Sequence, residues 1–126
     1  MTGSARPPAR PRKPHTSPRR RSRAFALQGL YQWLLSGEDA GAIDAHIRDQ
    51  DGFDKCDAAH FDTLLHGCIG EASQLDAALA RHADRQTRQL SPVEHSVLLF
   101  GAYELRHCIE LRYRVAIQAD VELAKD

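Results

Sequence analysis

The chain has 126 residues, enough for one domain with its own core, and its 17 basic side chains balance 17 acidic ones. It shows neither the apolar run of a signal peptide nor a segment long enough to span a bilayer, and Cys56, Cys68 and Cys108 have no paired spacing. These features exclude a membrane span and a secreted disulfide framework, and they fit a cytoplasmic protein.

The neutral total hides a strong asymmetry. Residues 1–23 carry eight basic side chains and no acid, net +8, and the remainder carries nine basic against seventeen acidic, net −8. Such a distribution suggests a basic arm that meets a polyanion, attached to an acidic body. Residues 1–18, rich in Pro, Arg and Ser, are expected to form a disordered basic arm. Five prolines within residues 1–23 argue against an amphipathic targeting helix.

From Arg19 the character changes. Arg19-Arg20-Arg21-Ser22-Arg23 runs directly into a helix through Leu35, in which Leu27, Leu30, Tyr31 and Leu34 form one apolar face and Gln28 and Gln32 lie on a more polar side. Positive charge at a helix N-terminus opposes the macrodipole, yet free N–H groups beside a row of guanidinium groups suit phosphate. A short helix from Asp39 to Gln50, with Ala40, Ile43 and Ile47 inward, precedes an acidic loop, Asp49 to Asp57. Asp57 then caps a longer helix, about Ala58 to Ala83, whose Phe61, Leu64, Leu65, Cys68, Ile69, Ala72, Leu75 and Leu79 follow three- and four-residue steps. Gly67 and Gly70 mark a tight crossing. Asp84 to Gln89 reads as a polar connector.

The stretch Leu90–Leu105 opens with Ser91-Pro92-Val93-Glu94, the signature of a capping box. Its Val97, Leu98, Leu99, Phe100, Ala102, Tyr103 and Leu105 point around the whole circumference, which predicts a central helix buried on all sides, with Gly101 close to a neighbouring backbone. A turn over Arg106–Arg112 and a last amphipathic helix, with Ile117, Val121 and Ala124 inward, complete an all-α reading.

Chemistry is sparse. The seven histidines make no i, i+4 pair with each other or with a cysteine, so no metal site is expected. There is no Gly-rich phosphate loop and no serine nucleophile elbow, and Glu94 and Glu104 stand ten residues apart on one helix, too far for a carboxylate pair. Neither catalysis nor a cofactor is expected. The arginines are more informative: Arg19, Arg20, Arg21 and Arg23 can neutralise phosphates, Gln28 can read a base edge, and Tyr31 can stack a base or pack in the core. Trp33 reads as core. A non-specific basic tether is the alternative use of the arm.

Taken together, Arg19-Arg20-Arg21-Ser22-Arg23 with Leu27-Gln28-Gly29-Leu30-Tyr31, the Leu90–Leu105 stretch with Tyr103-Glu104-Leu105, and Tyr113-Arg114-Val115-Ala116-Ile117 with Val121-Glu122-Leu123-Ala124-Lys125 resemble the NusB family of bacterial antitermination factors. The resemblance covers residues 19–126, read as one helical RNA-binding domain. It implies a compact all-helical bundle of two small subdomains without catalysis. It also implies binding of single-stranded boxA RNA in ribosomal RNA leaders, together with the ribosomal protein NusE, within an RNA polymerase antitermination complex. The RNA contacts it implies are the arginine block, Gln28 and Tyr31, with Glu94 near the partner or RNA surface. The chain departs from the family pattern at Leu99, where a basic residue is common, at Arg112, where Pro is usual, and at Gln118-Ala119-Asp120, where Asn-Glu-Ala is usual. The family continues through one further helix beyond the Lys125 position, so a truncated chain with an exposed apolar groove is expected. A similar helical domain begins certain ribosomal-RNA cytosine methyltransferases, which makes the RNA-binding part of such an enzyme one alternative. A protein-only helical scaffold is another.

Overall fold

A computed structural model describes the backbone of residues 17–82 and 89–124 and the side chains of 17–82 and 89–118. Every regular element among these residues is helical: α1 Pro18–Ser36, α2 Ala40–Arg48, a 3₁₀ turn Phe53–Lys55, α3 Ala58–His82 and α4 Pro92–Ala124. The expected disorder of the arm lies outside the described residues except at Ser17 and Pro18, which begin α1. The connector after Ala83 falls outside them as well, apart from Gln89.

Helix α1 starts where Ser17 accepts a hydrogen bond from the Arg20 amide at 3.2 Å and Pro18 takes the first helical position. It stops at Gly37, whose φ of 71° lets the chain turn left-handed while its N–H donates to the Trp33 carbonyl. The fully buried residues of α1 are Ser22, Ala26, Gly29 and Leu30, so the expected face of Leu27, Leu30, Tyr31 and Leu34 is displaced: of those four, Leu30 alone is fully buried. The cause is steric. Small residues admit neighbouring helices, and a Cβ at Gly29 would already meet Leu65 Cδ1 at 3.0 Å and Ile47 Cγ1 at 3.4 Å.

Asp39 caps α2 by accepting from the Gly41 amide, and Ile43 and Ile47 face inward as their spacing predicts. The 3₁₀ turn buries Phe53 edge-on to Phe61, with ring centroids 5.0 Å apart. In α3, Asp57 accepts from the His60 amide, and the buried residues Phe61, Leu64, Leu65, Cys68, Ala72 and Leu75 are six of the eight expected. Gly67 does mark a tight crossing, because a Cβ there would collide with the Tyr103 hydroxyl. Gly70 does not: it faces open space.

Helix α4 begins with the expected capping box. The Glu94 amide donates to Ser91 Oγ at 3.2 Å, and the Ser91 amide and hydroxyl donate to Glu94 Oε1. The expectation that this helix is buried all round is corrected: Ser96, Leu99, Phe100 and Tyr103 are buried, while Val97, Leu98 and Leu105 are exposed. Among the described residues α4 has substantial packing against α1 and α3, which cover one side of it. The central element is α1, which packs against α2, the 3₁₀ turn, α3 and α4. Gly101, too, meets no close neighbour.

The expected turn at Arg106–Arg112 is absent and α4 runs on to Ala124. No Gly or Pro follows Gly101, and Arg106–Glu110 and His107–Glu110 pairs at helical spacing support the continuation. Apolar residues at 109, 111, 113, 115 and 117 alternate in steps of two, which suits no single helix face. Ile109, Leu111, Tyr113, Val115 and Ile117 are accordingly exposed, so Ile117 is not the inward residue its pattern predicts. The side chains of Val121 and Ala124 lie outside the described residues. The buried apolar side chains of α1, α2, the 3₁₀ turn, α3 and α4 form one contiguous core.

Candidate nucleic-acid interface

The basic block sits on the first turn and a half of α1, and one serine ties it to the body. Ser22 is fully buried, and its hydroxyl lies 2.6 Å from the Asp57 carbonyl and 3.0 Å from the Pro18 carbonyl. A hydroxyl has one proton, so the shorter contact marks the stronger hydrogen bond. The Asp57 amide donates in return to the Pro18 carbonyl at 3.3 Å, which closes the junction between the starts of α1 and α3. Burying residue 22 directs its neighbours outward.

Helical spacing divides the block. Arg20, Arg21, Gln28 and Tyr31 lie on the side of α1 away from the Ser22–Ala26–Gly29 stripe. Arg20 and Gln28 are exposed, Arg21 and Tyr31 half-buried. Among the described residues neither the Arg20 nor the Arg21 guanidinium has an ion-pair partner. Arg19 and Arg23 flank them and are engaged. Arg19 Nη2 lies 3.4 Å from His60 Nδ1. Arg23 donates through Nε and Nη2 to both carboxylate oxygens of Glu104 on α4, at 2.7 and 2.8 Å. That two-point contact raises the Arg23 pKa, chiefly through the hydrogen bond. The His60 imidazole is shifted the other way, first by burial and then by the Arg19 charge. Trp33 packs against the core, as its sequence position suggests.

Between α1 and α4 lies a groove of about 380 Å³, lined by Arg20, Arg23, Ala24 and Leu27 on one side and Val97, Phe100, Gly101 and Glu104 on the other. The Arg23 guanidinium carbon stands 5.8 Å from the centroid of the Phe100 ring. Glu94 lies one turn before Val97 on the same face of α4, exposed, with its carboxylate engaged by the Ser91 cap. Six sequence-derived site residues thus share α1, and Glu94 lies on α4 outside the groove lining. Leu99, where the family pattern is often basic, is fully buried and has no part in this surface. Sequence reasoning missed Ser22, Val97, Phe100, Gly101 and Glu104. The one available signal was Ser22 itself, a small polar residue interrupting an arginine run at the position that helical spacing places beside Ala26 and Gly29.

A second polar cluster stands elsewhere. Asp44, Asp62 and His66 offer ligand atoms within 4.8 Å of one another, a grouping that the search for paired His and Cys passed over. Arg48 hydrogen-bonds both carboxylates, and His66 Nε2 lies 2.6 Å from Asp44 Oδ2, so the cluster is a charge network joining α2 to α3. Burial alone would raise the Asp44 pKa, but the hydrogen bonds from His66 and Arg48 and their charges bring it below its usual value. No helix among the described residues is long and apolar enough to cross a membrane.

Comparison with known proteins agrees with this architecture. The NusB family model matches residues 20–126. A transcription antitermination protein NusB from Ralstonia nicotianae is 53% identical over 118 residues, covering 94% of this chain and 76% of the relative. The protein of that name from Ralstonia pickettii is 52% identical, with 93% and 76% covered. That from Paraburkholderia phymatum is 57% identical over 109 residues, with 86% and 75% covered.

Proposed function

The chain belongs to the NusB family, and from that premise we propose that it is a non-catalytic, cytoplasmic factor of transcription antitermination that binds single-stranded RNA of the boxA type in ribosomal RNA leaders together with the ribosomal protein NusE. The observation that carries the reading is the outward row of Arg20, Arg21, Gln28 and Tyr31 on α1, with two guanidinium groups that have no ion-pair partner among the described residues. Guanidinium groups hold phosphates, and the amide and phenol side chains can engage bases that a single strand leaves unpaired. Arg19 and Arg23 extend the row at its edges, where phosphate competes with His60 and Glu104 for them. The positive dipole end at the start of α1 adds to the same field. Glu94, on the face of α4 nearest the groove, is assigned to the NusE or RNA side. The docked complex then joins the RNA polymerase antitermination machinery.

The test is a titration of labelled boxA-type RNA over a range of salt, with and without NusE. Binding should weaken with salt by about 0.7 in the log–log slope for each phosphate neutralised. Joint replacement of Arg19, Arg20, Arg21 and Arg23 by Ala should abolish most binding at moderate salt and leave the helical circular dichroism intact. Undiminished binding by that variant would remove the arginine row from consideration.

A further inference from the structure

We propose that the groove between α1 and α4 is the seat of one unstacked nucleobase of the bound strand; the proposal rests on the RNA-binding reading above. The groove is continuous with the arginine row, because Arg20 belongs to both. Its lining is part cationic, from Arg20 and Arg23, and part apolar, from Leu27 and Val97 among others, and Val97 is 52% exposed. An apolar patch bordered by guanidinium groups matches a base, which presents a flat apolar face close to its phosphate. The volume of about 380 Å³ falls within the roughly 300–1,000 Å³ of small-ligand pockets. Glu104, the acid among the described lining residues, is paired with Arg23 in the unbound protein.

Gly101 supplies an independent observation. A glycine inside a helix lowers stability by about 1 kcal/mol relative to alanine and is expected where something needs the space. Among the described residues none occupies that space, for a Cβ at Gly101 would meet no atom within 4 Å. Gly101 lines the groove, so the open notch it makes in α4 faces the place where the base would lie.

That geometry permits a clean test on the full chain with two probes of equal length and charge, a labelled single-stranded oligoribonucleotide and its abasic ribose-phosphate counterpart. Wild type should bind the base-bearing probe more tightly. Gly101→Leu should lose about tenfold for that probe and leave abasic binding unchanged, and Gly101→Ala should lose less. Gly101→Ala should melt no lower than wild type, since its Cβ would meet no atom of the described residues within 4 Å. Val97→Ala, which trims the apolar lining, should show the same probe-selective loss on a smaller scale and guards against a folding defect in Gly101→Leu. Equal RNA binding by wild type and Gly101→Leu would overturn the seat, as would an equal loss on both probes. Wild type that binds both probes alike, with normal salt dependence, would sink the seat and leave the arginine row standing. Wild type that binds neither would sink both.

Discussion

Arg23 and Glu104, 81 residues apart in sequence, meet in a two-point ion pair with both N···O distances under 3 Å. The pair links the start of α1 to the middle of α4, and side-chain exposures of 50% and 31% leave it within reach of solvent and of a competing phosphate. Glu104→Gln should therefore cost no more than about 1 kcal/mol of stability, as partly exposed pairs do. It should also release the Arg23 charge and steepen the salt dependence of RNA binding by about 0.7 in slope. Denaturant unfolding and anisotropy titrations at several salt concentrations measure the two effects separately.

Ser22→Ala should destabilise the protein by about 0.5–1.5 kcal/mol, the net worth of one hydrogen bond. The Asp57 carbonyl would lose the fully buried hydroxyl at 2.6 Å but keep the Phe61 amide at 3.0 Å. The junction that aims the arginines would loosen with it. A urea midpoint at unchanged m-value checks the first effect, and hydrogen exchange over residues 18–23 checks the second. Unchanged stability would mean that the junction contributes little.

Two glycines in α3 should respond in opposite directions. Gly67→Ala drives a methyl group into the Tyr103 side chain, and overpacking of this kind costs about 1–3 kcal/mol. Gly70→Ala meets nothing and should stabilise by up to about 1 kcal/mol through helix propensity. Thermal melts of the two variants side by side decide the matter.

Acid should weaken the fold in two stages. Burial, then Arg19, holds the His60 pKa below 6.5; Arg23 adds to the lowering, and Asp57 and Glu104 oppose it. The unfolded chain thus takes up the proton first, and stability is lost as pH falls from 6.5 through the folded value. The Asp44 pKa is lowered from 3.8, so its share is present above 3.8 and disappears as pH falls through its folded value. Unfolding free energies from pH 7.5 to pH 3 should decline on acidification, and His60→Gln should flatten the upper part of the curve.

Much of this was legible in local sequence. The Ser91–Glu94 capping box, the Asp57 cap, the inward stripe of α3 and the basic row at the start of α1 all depend on residues within a few positions of one another, so spacing alone reveals them. Two of the differences share one cause. The stripe of α1 was misplaced because Ser22, Ala26 and Gly29 look unimportant until α3 approaches closely enough to need them small. The helix from Pro92 reads as central because its apolar residues surround it, and spacing cannot say that α1 and α3 cover one side of it. The expected turn at Arg106–Arg112 fails for a local reason: that segment contains neither glycine nor proline to end a helix.

By itself, then, the sequence determined an all-helical chain with its positive charge concentrated at one end, because helix periodicity, capping and charge are properties of neighbours. Tertiary structure alone decided which arginines remain without an ion-pair partner among the described residues, that Glu104 engages Arg23, and that Val97 and Gly101 border a groove beside them. Those facts depend on contacts between residues some 80 positions apart, whose meeting is set by how the helices pack.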